Sequence, residues 1–148
     1  MKFSNTESIR NDTDEPIVIA NNRNKINLVG GFFILQNAEI FNILGDTKIL
    51  NCSSSKIFTM QGNSEILHCE NSKIFLLDGF SKIQKIKNSC IEKMLGYSKI
   101  FLAENSTINS MQEFSTIKEL VNSKIYKIFN DAKIFSNTQS KIYFVERK

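Results

Sequence analysis

The sequence predicts an all-β, single-stranded β-solenoid with 17-residue coils and parallel strand pairing, because three features repeat together. An isoleucine recurs at alternating intervals of nine and eight positions, a small residue stands two positions before it, and turn residues separate the units. These isoleucines are Ile40, Ile49, Ile57, Ile66, Ile74, Ile83, Ile91, Ile100, Ile108, Ile117, Ile125, Ile134 and Ile142. Two unequal halves make one coil, so the repeat region gives about seven coils.

The small residue before each isoleucine is mostly serine, and both are predicted to point inward because alternate strand residues share a face. Ser72, Lys73 and Ile74 show the pattern in its plainest form, with the lysine pointing outward. The third residue after each isoleucine is again mostly apolar and closes the inner wall. A helical repeat is excluded, since units that alternate between eight and nine positions leave no room for a helix of ordinary length.

Two kinds of corner residue recur at every seventeenth position. Glycine marks the longer half, where it indicates positive φ, and asparagine marks the shorter half, where it tolerates the left-handed conformation and predicts an amide ladder. The glycines are Gly45, Gly62, Gly79 and Gly96, and the asparagines are Asn71, Asn88, Asn105 and Asn122. Phe80, Tyr97 and Phe114 share one column of the longer half and are predicted to stack along the axis.

The ends of the chain depart from the regular repeat. Residues 1–29 are predicted to form an N-terminal capping segment, and residues 30–148 form the solenoid domain. Phe32 stands eight positions before Ile40, so Phe32 is predicted to point inward and Phe33 outward. The phase continues to Val145, and an open last coil presents unpaired backbone groups. The C-terminal coil is therefore predicted to form a homodimer or to contact a partner protein.

The amino-acid composition limits the classes of protein to which this chain can belong. The 148 residues, with 41% hydrophobic side chains, suit one folded unit, and a net charge of +4 leans mildly toward acidic partners. No apolar run reaches the length of a membrane span, and polar residues stand where a secretory apolar region would lie. Three cysteines without a CxxC pair fit a reducing compartment. These features predict a cytoplasmic protein without a membrane partner.

The sequence predicts a protein that is not an enzyme, with no catalytic residue, no cofactor and no metal site. His68, the one histidine, falls in an outward column and is predicted to be a surface side chain. Cys52 and Cys69 fall in one inward column on adjacent coils, a spacing that also suits a disulfide or a metal. No second pair of ligands accompanies them, which favours core packing. Cys90 replaces an outward lysine and is predicted to be exposed.

The outer surface carries the candidate binding residues, because lysine precedes and an aromatic residue follows many of the isoleucines. The predicted binding surface consists of Lys56, Phe58, Lys73, Phe75, Lys99, Phe101, Lys124, Tyr126, Lys141 and Tyr143. Sorted by the 17-residue phase, one face carries Phe41, Phe58, Phe75, Tyr126 and Tyr143, and the other carries Phe33, Leu50, Leu67, Phe101 and Phe135. Exposed rings in such number favour an interaction surface.

Several roles for these faces stay open from the residues alone. The rings could lie against lysine stems and protect the sheet, or one face could dock a partner. Aromatic residues between lysines also suit single-stranded nucleic acid, although carboxylates such as Glu65, Glu92 and Glu119 interrupt the surface. A self-assembling scaffold is a further alternative. Ice binding is disfavoured, because lysine and phenylalanine stand where threonine would repeat.

The Asn-Ser-Lys-Ile columns resemble the short-repeat β-solenoid proteins of phages and mobile elements, whose repeats read Asn-Ser-any-Val or a close variant. The resemblance covers about residues 30–145. It implies a non-enzymatic binding protein, and more narrowly a phage-encoded inhibitor that binds a host protein, such as a CRISPR or other defence nuclease, in the host cytoplasm. The net charge of +4 departs from the acidic pattern of solenoids that imitate DNA, which favours direct protein contact.

Overall fold

The computed structural model describes residues 7–22, 25–129 and 131–146, and within them every regular element is a β-strand. The strands stack as a parallel β-solenoid of about eight turns with a spacing of about 17 residues, which confirms the predicted fold. Each coil contributes one strand to each of two sheets, so the cross-section is two-sided.

The nine-stranded sheet contains β1 (Glu7–Ile9), β3 (Ile26–Leu28), β5 (Glu39–Ile43), β7 (Lys56–Met60), β9 (Lys73–Leu77), β11 (Cys90–Met94), β13 (Thr107–Met111), β15 (Lys124–Phe129) and β17 (Lys141–Glu146). The eight-stranded sheet contains β2 (Ile17–Ala20), β4 (Gly31–Gln36), β6 (Thr47–Ser53), β8 (Glu65–Glu70), β10 (Lys82–Lys87), β12 (Lys99–Glu104), β14 (Thr116–Val121) and β16 (Lys133–Thr138). In both sheets the strands follow one another in coil order.

The core is built from columns of equivalent residues on successive coils. Ile74 pairs with Ile57 on one side and with Ile91 on the other, and all three side chains are fully buried. Leu77, the third residue after Ile74, is also fully buried. Burying one such side chain contributes about 1.5–3 kcal/mol, and every coil repeats the contribution.

Most strands direct two successive side chains outward, because the isoleucine and the third residue after it both face the core. In β7, Ile57 and Met60 are fully buried, whereas Phe58 and Thr59 lie between them on the outside. Successive coils therefore build two adjacent outward columns on each sheet. These columns carry the candidate site.

The predicted register of the first regular coil is wrong by one position. Phe33 is fully buried and pairs with Ile49, whereas Phe32 is half-buried. The pairing of β4 with β6 shifts here, because one outward residue separates Phe33 from Leu35 instead of the usual two. Counting back eight positions from Ile40 therefore selects the wrong ring. Phe33 belongs to the core and not to an outer face.

The segment predicted as an N-terminal cap contributes β1, β2 and β3 to the same two sheets. β1 pairs with β3 and β2 with β4, all in parallel. Between β1 and β2, the buried side-chain amide of Asn11 donates to the carbonyl oxygen of Phe32 at 2.8 Å. A Cβ on Gly31 would meet the backbone oxygen of Asn11 at 2.1 Å, so this position requires glycine. Residues 1–6 and 23–24 of the predicted segment lie outside the described residues.

One serine column forms a hydrogen-bonded ladder that links the coils. Its hydroxyl oxygens accept the backbone N–H of the equivalent position in the preceding coil, over 2.9–3.2 Å, and donate to the carbonyl two positions earlier in their own coil, over 2.8–3.2 Å. The members are Ser55, Ser72, Ser89, Ser106, Ser123 and Ser140. The serine column therefore satisfies backbone donors at the corner, in addition to being small.

The serines of the longer half act within their own coil. The hydroxyl groups of Ser64, Ser81 and Ser115 donate to the carbonyl oxygen three positions earlier, at 2.6–2.9 Å. Within the described residues, the buried hydroxyl of Ser98 has no hydrogen-bond partner. The two serine columns thus share size and burial but differ in their bonding.

The predicted corner conformations are confirmed. The four glycines have φ between 63° and 70°, and the four asparagines have φ between 48° and 52°. Of the predicted amide ladder, one hydrogen bond is seen within the described residues, from Asn122 Nδ2 to Asn105 Oδ1 at 2.9 Å. The predicted ring stack is also present: Tyr97 lies 5.3 Å from Phe80 and 5.0 Å from Phe114, with interplanar angles of 6° and 7°.

Candidate binding face

The two sheets place the ten predicted binding residues on opposite sides of the solenoid. Lys99 and Phe101 lie on β12 of the eight-stranded sheet. The other eight lie on the nine-stranded sheet, and their outer surface is called the nine-stranded face. They are Lys56, Phe58, Lys73, Phe75, Lys124, Tyr126, Lys141 and Tyr143. The ten predicted positions therefore form two separate surfaces.

Rings on the nine-stranded face stack on one another along the solenoid axis. The centroids of Phe58 and Phe75 are 4.9 Å apart at 7°, and those of Tyr126 and Tyr143 are 5.0 Å apart at 13°. Phe41 lies 6.1 Å from Phe58 at 58°. Each such pair contributes about 0.5–1.5 kcal/mol beyond its buried area. Because stacked rings cover one another's faces, solvent meets mainly ring edges.

On this face, some lysines lie over a ring, whereas others are exposed to solvent. The Nζ atom of Lys73 lies 4.7 Å from the Phe75 centroid and 3.3 Å from the Glu92 carboxylate. Both members of this ion pair are substantially exposed, so it contributes at most about 1 kcal/mol. Lys56, one coil before Lys73, and Lys124, three coils after it, are both exposed. At Lys73 the ammonium group therefore lies over a ring, which is close to one of the alternatives that the sequence left open.

The ring column of the nine-stranded face is interrupted for two coils. Glu92 and Asn109 occupy the positions between Phe75 and Tyr126, and the Asn109 amide donates to the Glu92 carboxylate over 2.6 Å. This hydrogen bond, followed by the effect of Lys73, lowers the pKa of Glu92 below its ordinary value. The interruption by Glu92 was predicted, whereas Asn109 was not singled out, although reading every seventeenth position from Phe41 shows both.

A notch lies where the column is interrupted. Its lining residues are Glu92, Lys93, Asn109, Ser110, Gln112, Tyr126, Lys127 and Phe129. The two β13 side chains that line the notch, Asn109 and Ser110, are small, whereas the next coil places the rings of Tyr126 and Phe129 beside them. The volume of the notch is about 640 Å³, which lies within the range of about 300–1,000 Å³ of small-ligand sites.

The outer column of the eight-stranded sheet has fewer ring contacts. Phe101 and Phe135 are two coils apart, with Lys118 between them. The Nζ atom of Lys99 lies 5.5 Å from the Phe101 centroid. Lys99 and Phe101 therefore form a local cation–π pair on this sheet.

The predicted placement of the cysteines is confirmed for the inward pair. Cys52 and Cys69 pair in register on adjacent coils, and both are buried free thiols. The hydrogen bond with Cys52, together with burial, raises the pKa of the Cys69 thiol well above its ordinary value. Cys90 is half-buried, less exposed than predicted, and burial followed by the nearby Glu92 raises its pKa. The raised pKa values of Cys69 and Cys90 disfavour their thiolates, the form that attacks a substrate or binds a metal. The hydrogen bond with Cys69 instead lowers the pKa of Cys52, although burial opposes this shift.

His68 is an exposed side chain, as predicted, in register with Lys85 on the next coil. Across residues 7–22, 25–129 and 131–146, no three His, Cys, Asp or Glu side chains group closely enough to hold a metal ion. The described part of the chain contains no helix of the length and apolarity needed to cross a membrane.

Comparisons of the chain with protein-family models, with curated proteins and with solved structures find no match.

Proposed function

We propose that this chain is a non-enzymatic binding protein that docks a protein partner through its nine-stranded face. The observation that carries the proposal is the set of exposed rings on one sheet. Tyr126 is 41% exposed and Tyr143 is 53% exposed, and Phe41 and Phe58 are also exposed. Aromatic side chains are enriched at protein interfaces, where they supply contact area at low conformational cost.

The charges of this face indicate the kind of partner. Lys56, Lys124 and Lys141 precede the ring positions and are all exposed. Lysines at the edge of an interface steer encounter and select a surface of opposite charge. The proposed partner therefore presents an acidic surface. The resemblance to short-repeat phage solenoids extends the proposal to a host protein, such as a CRISPR or other defence nuclease, met in the host cytoplasm.

The proposal predicts capture of a protein partner that depends on the face. Tagged chain is used as bait in bacterial lysate, with and without nuclease treatment, and compared with Phe58→Lys. We expect nuclease-resistant capture by the native chain and at least about ten-fold weaker binding by Phe58→Lys, because a charge replaces a central ring. Tyr97→Lys, which changes a corner ring that is more exposed than Phe58, is the control and should bind normally.

Two results would contradict docking through this face. One is capture that disappears after nuclease treatment, which indicates a nucleic acid instead of a protein. The other is equal capture by the native chain and Phe58→Lys.

The homodimer predicted for the C-terminal coil is a second part of the proposal. β17 pairs with β15, and Val145 and Phe144 on β17 are 49% and 47% exposed. Exposed apolar residues beside a strand edge favour pairing with a second copy. We expect light scattering to report a dimer at tens of micromolar, and Val145→Lys to shift it toward the monomer. A monomer for the native chain at that concentration would contradict this part.

A further inference from the structure

The notch on the nine-stranded face leaves one ring face of Tyr126 uncovered, at a gap within the ring column. One face of Tyr126 is covered by Tyr143 at 5.0 Å, and the next position on its other side is Asn109 instead of a ring. Phe129 lines the same wall, and its other side contacts Phe144 at 6.2 Å. A flat group placed over Asn109 would therefore continue the Tyr143–Tyr126 stack.

The notch also carries cations that lack carboxylate partners. Lys93, Ser110 and Lys127 occupy the same column on three successive coils, so the lysines flank the serine on both sides. In the described part of the chain, neither lysine forms an ion pair, whereas Glu92 is engaged by Lys73 at 3.3 Å. Two strand spacings separate the lysine backbones by about 10 Å, which leaves room for an anion between their flexible side chains.

The floor of the notch supplies hydrogen-bonding groups. The Gln112 amide donates to the Ser110 hydroxyl over 3.3 Å, and the Asn109 amide donates to Glu92. The amide oxygens of Asn109 and Gln112 can accept hydrogen bonds from a ligand edge. Ring faces, cations and amides together favour a flat, polar and anionic occupant.

We propose that the notch binds an unpaired nucleotide within a single-stranded nucleic acid. The base stacks on Tyr126, the Asn109 amide meets the base edge, and the phosphate lies between Lys93 and Lys127. Stacking on an aromatic side chain tolerates any base, since every base has a π-face, and lysines track the backbone phosphates. An acidic peptide would use the same lysines but would leave the ring face of Tyr126 without a planar partner. The notch lies within the nine-stranded face and shares Tyr126 with it, but the nucleotide proposal does not rest on the docking function.

The test uses fluorescence anisotropy of a labelled oligothymidylate of about ten nucleotides, which is within the usual span of single-strand sites. The native chain is expected to bind in low salt, and Tyr126→Ala to bind about ten-fold more weakly, because base stacking on one ring is lost. Lys93→Ala and Lys127→Ala should each reduce the slope of log affinity against log salt by about 0.7. Lys118→Ala, an exposed lysine on the opposite sheet, should leave both quantities unchanged.

Asn109→Phe keeps the proposal testable if Tyr126→Ala perturbs the fold. A ring at position 109 extends the Tyr126 stack, as rings already do at Phe58 and Phe75, and fills the notch without removing a contact of Tyr126. We expect this variant to remain folded and to lose oligonucleotide binding. The proposal is overturned if the native chain shows no binding at tens of micromolar in low salt, or if Asn109→Phe binds as well as the native chain. It is also overturned if Lys118→Ala weakens binding as much as Lys93→Ala does.

Discussion

Replacing Ile74 with aspartate is expected to unfold the chain. Ile74 is fully buried between Ile57 and Ile91, and a carboxylate there has no partner in the apolar column. Burying an unpaired charge costs several kcal/mol, which is comparable to the whole stability of a typical domain, about 5–15 kcal/mol. The circular-dichroism signal of β-structure should be lost at temperatures where the native chain is folded.

The neighbouring residue gives the control for this substitution. Lys73→Ala removes an exposed ion pair and a contact with Phe75, so it should lower the free energy of unfolding by less than about 1 kcal/mol. A cooperatively folded Ile74→Asp variant with native β-structure would show that the isoleucine columns do not form the core. A spectrum of the native chain dominated by helix would contradict the fold itself.

The second large effect is expected at the serine ladder. Ser89→Ala should lower the free energy of unfolding by about 1–3 kcal/mol, because the buried N–H of Ser72 loses its acceptor, the Ser89 hydroxyl, at 3.0 Å. Ser98→Ala is the matched control: the residue is equally small and buried, but its hydroxyl has no partner within the described residues. That substitution should be neutral or slightly stabilising.

Urea unfolding of the two alanine variants measures this difference directly. The comparison isolates the ladder, since both substitutions remove one oxygen from a buried corner. Equal stability of Ser89→Ala and Ser98→Ala would mean that the ladder hydrogen bonds contribute nothing beyond the small size of serine.

Much of the fold could be predicted because successive coils repeat the same local environment. Each column therefore shows many times which residue type that environment favours. Isoleucine at alternating intervals of nine and eight positions indicates an inward site many times over, and glycine or asparagine at every seventeenth position indicates a left-handed corner. The prediction fails where a structural feature occurs only once in the chain. Phe33 is placed by a local shift in pairing, and the close approach of Asn11 to Gly31 occurs once.

The binding face was predicted in outline and missed in detail. Strand alternation places Phe58 and Tyr126 on the outside, but it does not show that stacked rings cover one another. Serine was predicted to stand two positions before isoleucine because it is small, whereas the structure gives its hydroxyl two hydrogen bonds. The notch depends on how far the side chains of three successive coils project from the sheet. It is therefore visible only in the packed structure, where Asn109 and Ser110 leave space beside Tyr126.

Hydroxyl-radical footprinting of the chain, alone and with its captured protein partner, tests docking through the nine-stranded face most directly. Two sets of exposed rings report independently: Phe58, Tyr126 and Tyr143 on the face, and Phe80, Tyr97 and Phe114 at the corner. We expect the partner to protect the first set from oxidation and to leave the second set as reactive as in the free chain. Protection of the corner rings, with Phe58 and Tyr126 still oxidised at the free rate, would contradict the proposed face.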